Sequence, residues 1–175
     1  MKKDHGQGMD ERFLSAYESH ADSVYRFGLL KLSDKDAALD LVQDVFMRYW
    51  DVLRKDARAT HERAFLFTIA RNLVIDRYRA KRTVSLDRLR EEDGFEPPET
   101  GLPDPERAAE GKRAFGLIGR LPDAYREALI LRYVEGFEPR DIAALLGESA
   151  DAVTVRLHRG IKKLRELMHE RNTHG

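Results

Sequence analysis

Residues 121–168 read LPDAYREALILRYVEGFEPRDIAALLGESADAVTVRLHRGIKKLRELM. Inside them a short apolar run, Ile142-Ala143-Ala144-Leu145-Leu146, precedes Gly147, and a longer periodic segment starts at about Ala150. A short helix, a glycine turn and a second helix make a helix-turn-helix. The small Ala143 lets two helices cross closely, and Gly147 supplies a backbone shape that other residues resist. Val153 and Leu157 lie where the second helix packs back on the first. The outer face of that helix carries Arg156, His158, Arg159, Lys162 and Lys163. A basic helix held by a tight turn is suited to the major groove of DNA.

The rest of the composition fits small helical domains. In 175 residues, 42% are hydrophobic and 35% charged, against about 45–50% and 25% in average soluble proteins. Cores are therefore modest and the surface is heavily charged, which predicts one or two small domains. The absence of cysteine excludes disulfides, thiolate metal sites and a thiol redox switch. No apolar run is long enough for a bilayer, and the start MKKDHGQGMDER has no apolar signal core, so a soluble, cytoplasmic protein is expected.

The formal net charge of zero conceals blocks. Arg71, Arg77, Arg79, Lys81 and Arg82 stand against the single acid Asp76. Arg156, Arg159, Lys162, Lys163, Arg165 and Arg171 stand against Glu166 and Glu170. Between these two basic patches, residues 83–110 are acidic, with Asp87, Glu91, Glu92, Asp93, Glu96, Glu99, Asp104, Glu106 and Glu110 against three arginines. Blocked charge of this kind predicts a different partner for each segment.

Outside the acidic stretch, helical spacing dominates. Phe13, Leu14, Tyr17, Ala21 and Val24 recur at that spacing. Ser33 with Asp36 predicts a capping box for a helix through about Lys55, and Thr60 can cap a third helix with the stripe Phe65, Leu66, Ile69 and Leu73. From residue 83 to 103 periodicity fails, and Gly94, Pro97, Pro98, Gly101 and Pro103 break any helix. Asp104-Pro105 reads as a cap followed by proline at the first helical position, and Pro122 and Pro139 can open helices in the same way. The predicted fold is all-α, with no strand. Two small helical domains, 9–82 and 105–171, are joined by a flexible acidic linker, 83–104, and the second contains the helix-turn-helix.

Together the two halves resemble the extracytoplasmic-function (ECF) group of bacterial RNA polymerase sigma factors. Three stretches carry the resemblance. Residues 40–50, DLVQDVFMRYW, are similar to the helix with which that family grips the polymerase clamp. Residues 65–76, FLFTIARNLVID, are similar to its promoter-melting segment. The third is the helix-turn-helix, with Arg156-Leu157-His158-Arg159 and Leu164-Arg165-Glu166-Leu167. Three positions depart from the family pattern. Thr154-Val155 stand where a Lys-Ser pair is common, Glu148 follows the turn glycine where an apolar residue is usual, and Glu138-Pro139-Arg140-Asp141 replace an acid-rich helix start. These departures concern which promoter is read rather than the fold.

The resemblance implies a region 2-like domain for polymerase binding and for recognition and melting of the minus-ten element. It also implies a region 4-like domain for the minus-thirty-five element. Candidate polymerase contacts are Asp40, Gln43, Asp44 and Met47, at spacings of three and four opposite the apolar stripe Leu41, Val42, Val45, Phe46, Tyr49 and Leu53. Trp50 fits either a core anchor or an interface hot spot. Candidate minus-ten and melting contacts are Arg71, Asn72, Arg77, Arg79, Lys81 and Arg82. Five cations with one acid exceed what a helix dipole requires, so phosphate binding is the better reading. Of the nearby aromatics Phe65, Phe67 and Tyr78, which could stack on an unpaired base, Phe65 is the one expected in the core. In the loop Asp56-Ala57-Arg58-Ala59-Thr60-His61, where the family captures a flipped base, no residue stands out.

In the recognition helix the candidates are Asp151, Thr154, Val155, Arg156, His158, Arg159, Lys162 and Lys163. Arg156 and Arg159 lie near the start, where a docked helix meets base edges, and arginine reads guanine through two hydrogen bonds. Lys162 and Lys163 fall further along, beside backbone. The acidic linker is either a solvated tether or, as the resemblance suggests, a segment whose carboxylates mimic phosphates in the polymerase channel.

Nothing in the sequence supplies catalysis. Six scattered histidines give no metal-ligand pair, and there is no phosphate-binding glycine loop or paired nucleophile and base. The expectation is a sigma factor that acts without cofactor or metal. Its expected partners are core RNA polymerase, promoter DNA and an anti-sigma protein. It is expected to be monomeric when free and not inserted in a membrane. Two rivals are an ordinary helix-turn-helix regulator with a ligand-sensing domain, and a sigma-like mimic that sequesters an anti-sigma protein. The first lacks a recognisable sensing segment. The retained arginines oppose the second.

Overall fold

The computed structural model describes residues 4–55, 61–84 and 115–173, with side chains described for 8–55, 61–80 and 115–169. Helix is the only regular secondary structure among the described residues, which contain no strand. The helices are α1 (Asp4–Leu32), α2 (Lys35–Arg54), α3 (Glu62–Val84), α4 (Asp123–Leu129), α5 (Pro139–Leu146) and α6 (Ala150–Thr173), with a π-helical stretch, Ile130–Val134, directly after α4. The chain divides into two compact units. One comprises Met1–Gly28 with Lys35–Glu92, the other Leu29–Asp34 with Asp93–Gly175. The expected cap at Thr60, the helix restart at Asp104-Pro105 and most of the acidic linker lie outside the described residues.

In the first unit, α2 buries Ala38, Leu41, Val42, Val45, Phe46, Tyr49 and Leu53. These are the positions its apolar periodicity selects. The core face of α1 differs from the expected stripe. Ala16, Val24 and Phe27 are fully buried, while Leu14 is 56% and Tyr17 44% exposed. Tyr17 lies at the margin, where its ring meets Phe46 edge-on at 4.8 Å. Phe13 joins the same seam, 6.0 Å from Phe46 and 5.0 Å from Trp50. On α3 the fully buried aromatic is Phe67, packed edge-on to Phe27 at 5.5 Å. Phe65, expected in the core, is only half-buried beside Tyr49. The core stripe of α3 therefore runs through Leu66, Phe67, Ile69, Ala70, Leu73 and Val74.

Gly28 marks the closest approach of α1 to α2. A Cβ there would lie 2.8 Å from Leu41 Cδ2 and 3.4 Å from Ala38. Ser33 does not form the expected capping box. Its φ of 57° is left-handed, and its N–H donates to the Leu29 carbonyl at 2.9 Å. Ser33 therefore closes α1, in the role usually taken by glycine, and α2 begins two residues later.

A polar clamp ties the three long helices. Tyr49 Oη on α2 donates to Glu62 Oε2 at the start of α3. Arg12 Nε lies 3.6 Å from Glu62 Oε2, and His20 Nε2 lies 3.9 Å from Oε1, both from α1. Burial, helped by the hydrogen bond to Glu62, pushes the Tyr49 hydroxyl up to about 12. Burial lowers the His20 pKa despite the opposing pull of Glu62, and the Arg63 charge lowers it further.

In the second unit, α5 and α6 form the helix-turn-helix. Pro139 occupies the first turn of α5, and Glu138 precedes it in extended conformation. Pro122 instead sits one residue ahead of α4, so Asp123 is that helix's first residue. Gly147 closes α5 with φ 69° and ψ 37°, and Glu148 N–H donates to the Ala143 carbonyl at 3.0 Å. A left-handed residue with such a return bond reverses the chain within one turn. Ser149 then caps α6, its hydroxyl accepting from Ala152 N–H at 3.1 Å.

Candidate functional site

The recognition helix α6 is anchored along one side. Val153 is fully buried and Leu157 nearly so. Gly160 faces α4, where an added Cβ would meet Leu129 at 3.2 Å and Tyr125 at 3.4 Å. The absence of a side chain at Gly160 lets the helix lie against α4. Ile142, Ala143, Leu145 and Leu146 of α5 complete this core.

The opposite side is the candidate DNA face. Asp151, Thr154, Val155, His158, Arg159, Lys162 and Lys163 are exposed, Val155 by 48%. Two of these side chains are engaged locally. Thr154 Oγ1 donates to the Ala150 carbonyl at 2.9 Å, and Lys163 Nζ reaches Glu166 at 3.2 Å. Arg156 differs from the rest of the row. Its side chain is only 25% exposed, and Nη2 is paired with Glu148 Oε1. Arg156 and Arg159 both line an open groove of about 500 Å³ between the start of α6 and Ala124 and Tyr125 of α4. Asp151, Ala152 and Val155 form the rest of its wall.

On the first unit, the exposed side of α2 presents Leu39, Asp40, Gln43 and Met47, with Leu39 53% and Met47 69% exposed. Leu39 belongs to this face although it was not among the sequence candidates. Positions 39, 43 and 47 recur every four residues, so their spacing alone could have grouped them. Trp50 is half-buried with its edge on Phe13, at the margin between core and surface.

Asp44 and Arg77 were expected to serve different partners, and the structure brings them together. Arg77 Nη2 donates to Asp44 Oδ2 at 2.9 Å, and its Nη1 donates to the Ala37 carbonyl. Along the rest of α3, Arg71 is half-buried, while Asn72 and Arg79 are exposed. Lys81 and Arg82 lie on the same helix, but their side chains are outside those described. The loop 56–60 is likewise outside the description.

Among the described residues no group of three histidines and acids could hold a metal, and no helix is long and apolar enough to cross a membrane.

Residues 16–84 match the family described as Sigma-70 region 2, and residues 116–164 match Sigma-70, region 4. The ECF RNA polymerase sigma factor SigL of Mycobacterium tuberculosis is 31% identical over 158 residues, covering 88% of this chain and 87% of SigL. The RNA polymerase sigma factor CarQ of Myxococcus xanthus is 32% identical over 166 residues, covering 93% of this chain and 92% of CarQ. Among solved structures, the sigma factor RpoE of Bartonella quintana, in complex with the anti-sigma factor NepR, is similar with a TM-score of 0.74 and 26% identity. That match covers 91% of this chain and 98% of RpoE. The chain belongs to the ECF RNA polymerase sigma factors. It is a transcription initiation factor that directs RNA polymerase to promoters.

Proposed function

We infer that initiation is divided between two domains, 9–82 and 105–171, joined through 83–104. The first binds core polymerase through Leu39, Asp40, Gln43 and Met47 of α2, with Trp50 at the edge. Arg71, Asn72, Arg79, Lys81 and Arg82 of α3 lie along the minus-ten DNA and favour strand separation. Arg77 contributes chiefly by holding Asp44, and so the spacing of α2 and α3. The second domain places the start of α6 in the major groove of the minus-thirty-five element. There Asp151, Thr154, Val155, Arg156 and Arg159 meet bases, while His158, Lys162 and Lys163 meet phosphate. The protein contributes binding energy and strand separation rather than chemistry, and it works in the cytoplasm.

The observation that carries this reading is the recognition helix. Its inner side is sealed by Val153, Leu157 and Gly160, and its outer side is a row of polar and basic residues. A helix so anchored can enter a groove without losing its own packing. RpoE of Bartonella quintana has been solved with an anti-sigma factor, which supports an anti-sigma partner for this chain too.

Run-off transcription with purified core polymerase on fragmented genomic DNA tests the function. Discrete transcripts that depend on the protein, and that vanish when their upstream elements are scrambled, are expected. Transcripts that begin at random would refute promoter direction.

A further inference from the structure

We propose that Glu148 is a specificity-determining residue. By pairing with Arg156 it aims that side chain at a base and keeps it from serving as a general phosphate contact. This rests on the reading of α6 as the DNA-recognition helix.

Glu148 is the first residue after the left-handed turn at Gly147, and its N–H is fixed by the Ala143 carbonyl. The carboxylate is thus carried on a rigid part of the backbone. It is largely covered, 27% exposed, and its Oε2 is buried with no hydrogen-bond partner among the described residues. A half-buried carboxylate with one oxygen out of water depends on its cation, and that cation is Arg156. The contact spans eight residues and ties the end of the turn to the second turn of α6.

Arginine carries five N–H donors in a planar fork. Glu148 engages it through Nη2, at the turn side. Arg156 also lines the groove beside Asp151, Val155 and Arg159, at the start of α6. One edge of the fork is tethered, which leaves capacity for a second acceptor on the groove side. Holding a long, rotamer-rich side chain in one direction removes the entropy that a base contact would otherwise cost. The paired carboxylate also offsets the charge that would draw Arg156 to any nearby phosphate. An arginine held in this way favours a directional acceptor pair on a base over a diffuse negative charge.

The test uses the full chain assembled with core RNA polymerase. Bound DNA is selected from duplexes randomised across the upstream element, at two salt concentrations. Glu148→Gln should reduce preference about three- to tenfold at one base position, the one that Arg156→Ala also flattens. It should also steepen the salt slope by about one, as the freed arginine finds a phosphate. Glu148→Leu, which fills the same space without charge, should give the same two changes and stands in if the glutamine variant does not fold. In an Arg156→Ala background, Glu148→Gln should change neither quantity. The proposal is overturned if the preference survives Glu148→Gln, or if the same shift appears without Arg156. If Arg156→Ala alone leaves every base preference intact, the recognition-helix reading itself fails, which is a separate result.

Discussion

Arg77 of α3 and Asp44 of α2 hold each other at 2.9 Å, and the same guanidinium also reaches the Ala37 carbonyl. One arginine thus ties two turns of α2 to α3. The pair is partly solvated, with side chains 25% and 48% exposed, so its coupling is modest. A double-mutant cycle with Asp44→Ala and Arg77→Ala should give about 0.5–1 kcal/mol in urea unfolding. Arg77→Ala should cost more than Asp44→Ala, because it also abandons the backbone carbonyl. Equal costs with no coupling would assign both side chains to solvent.

Met47 offers a cleaner probe of the proposed polymerase face than Asp44, whose loss disturbs the helix pair. It is 69% exposed on the well-packed α2. Met47→Asp should leave the melting temperature within about 2–4 °C, as for surface substitutions generally. It should weaken binding to core polymerase about tenfold, as a charge replaces an exposed apolar side chain of the proposed contact. Titration of labelled protein with core polymerase measures this, and unchanged affinity would move the interface to another surface.

Gly28→Ala should destabilise the first unit although alanine is the better helix former. The propensity gain is about 1 kcal/mol. The new Cβ would stand 2.8 Å from Leu41 Cδ2, and Leu41 is fully buried. Overpacking of this kind costs about 1–3 kcal/mol. A net loss of up to about 2 kcal/mol in urea unfolding is expected, and a gain would show that α1 and α2 part easily.

His20 predicts an acid limit to stability. Its folded pKa lies below the ordinary 6.5, chiefly through burial. Between those two values the unfolded chain binds more protons than the folded one, so stability rises with pH across that window. The His20 contribution is intact above pH 6.5 and is lost as the pH falls through 6.5 toward the folded pKa. His20→Gln should flatten the pH dependence of the unfolding midpoint in that window. An unchanged slope would place its origin in other groups.

The helix-turn-helix was legible because its signals are local. Gly147 needs a left-handed turn, Pro139 opens a helix, and Val153 and Leu157 follow from a period of 3.6 residues. The α2 stripe was legible for the same reason. Features set by a second helix were not. Phe65 and Phe67 are neighbours of equal hydrophobicity, and only the position of Phe27 decides that Phe67 is the core residue. Ser33 looked like an N-cap because serine favours that position, yet the tight link between α1 and α2 forces it left-handed. Charge blocks placed Arg77 and Arg156 in basic patches, and counting does not register that Asp44 and Glu148 pair with them. Gly28 and Gly160 gave no signal, since a glycine at a helix crossing looks like any other glycine in a helix.

The missing side chain at Gly160 makes that residue a fulcrum for α6. Leu129 is the surface on which it rests, 3.2 Å from where a Cβ would be. The tip at Ala150 is ten residues away, about 15 Å at 1.5 Å per residue. A tilt of about 5° at the fulcrum therefore moves the tip by roughly 1 Å. That is enough to lengthen a hydrogen bond to a base beyond its useful range. In the proposed docking of α6, its aim is therefore set in part from the side that packs on α4. A change in the bulk of Leu129 would re-aim the tip with every residue of the exposed face left in place.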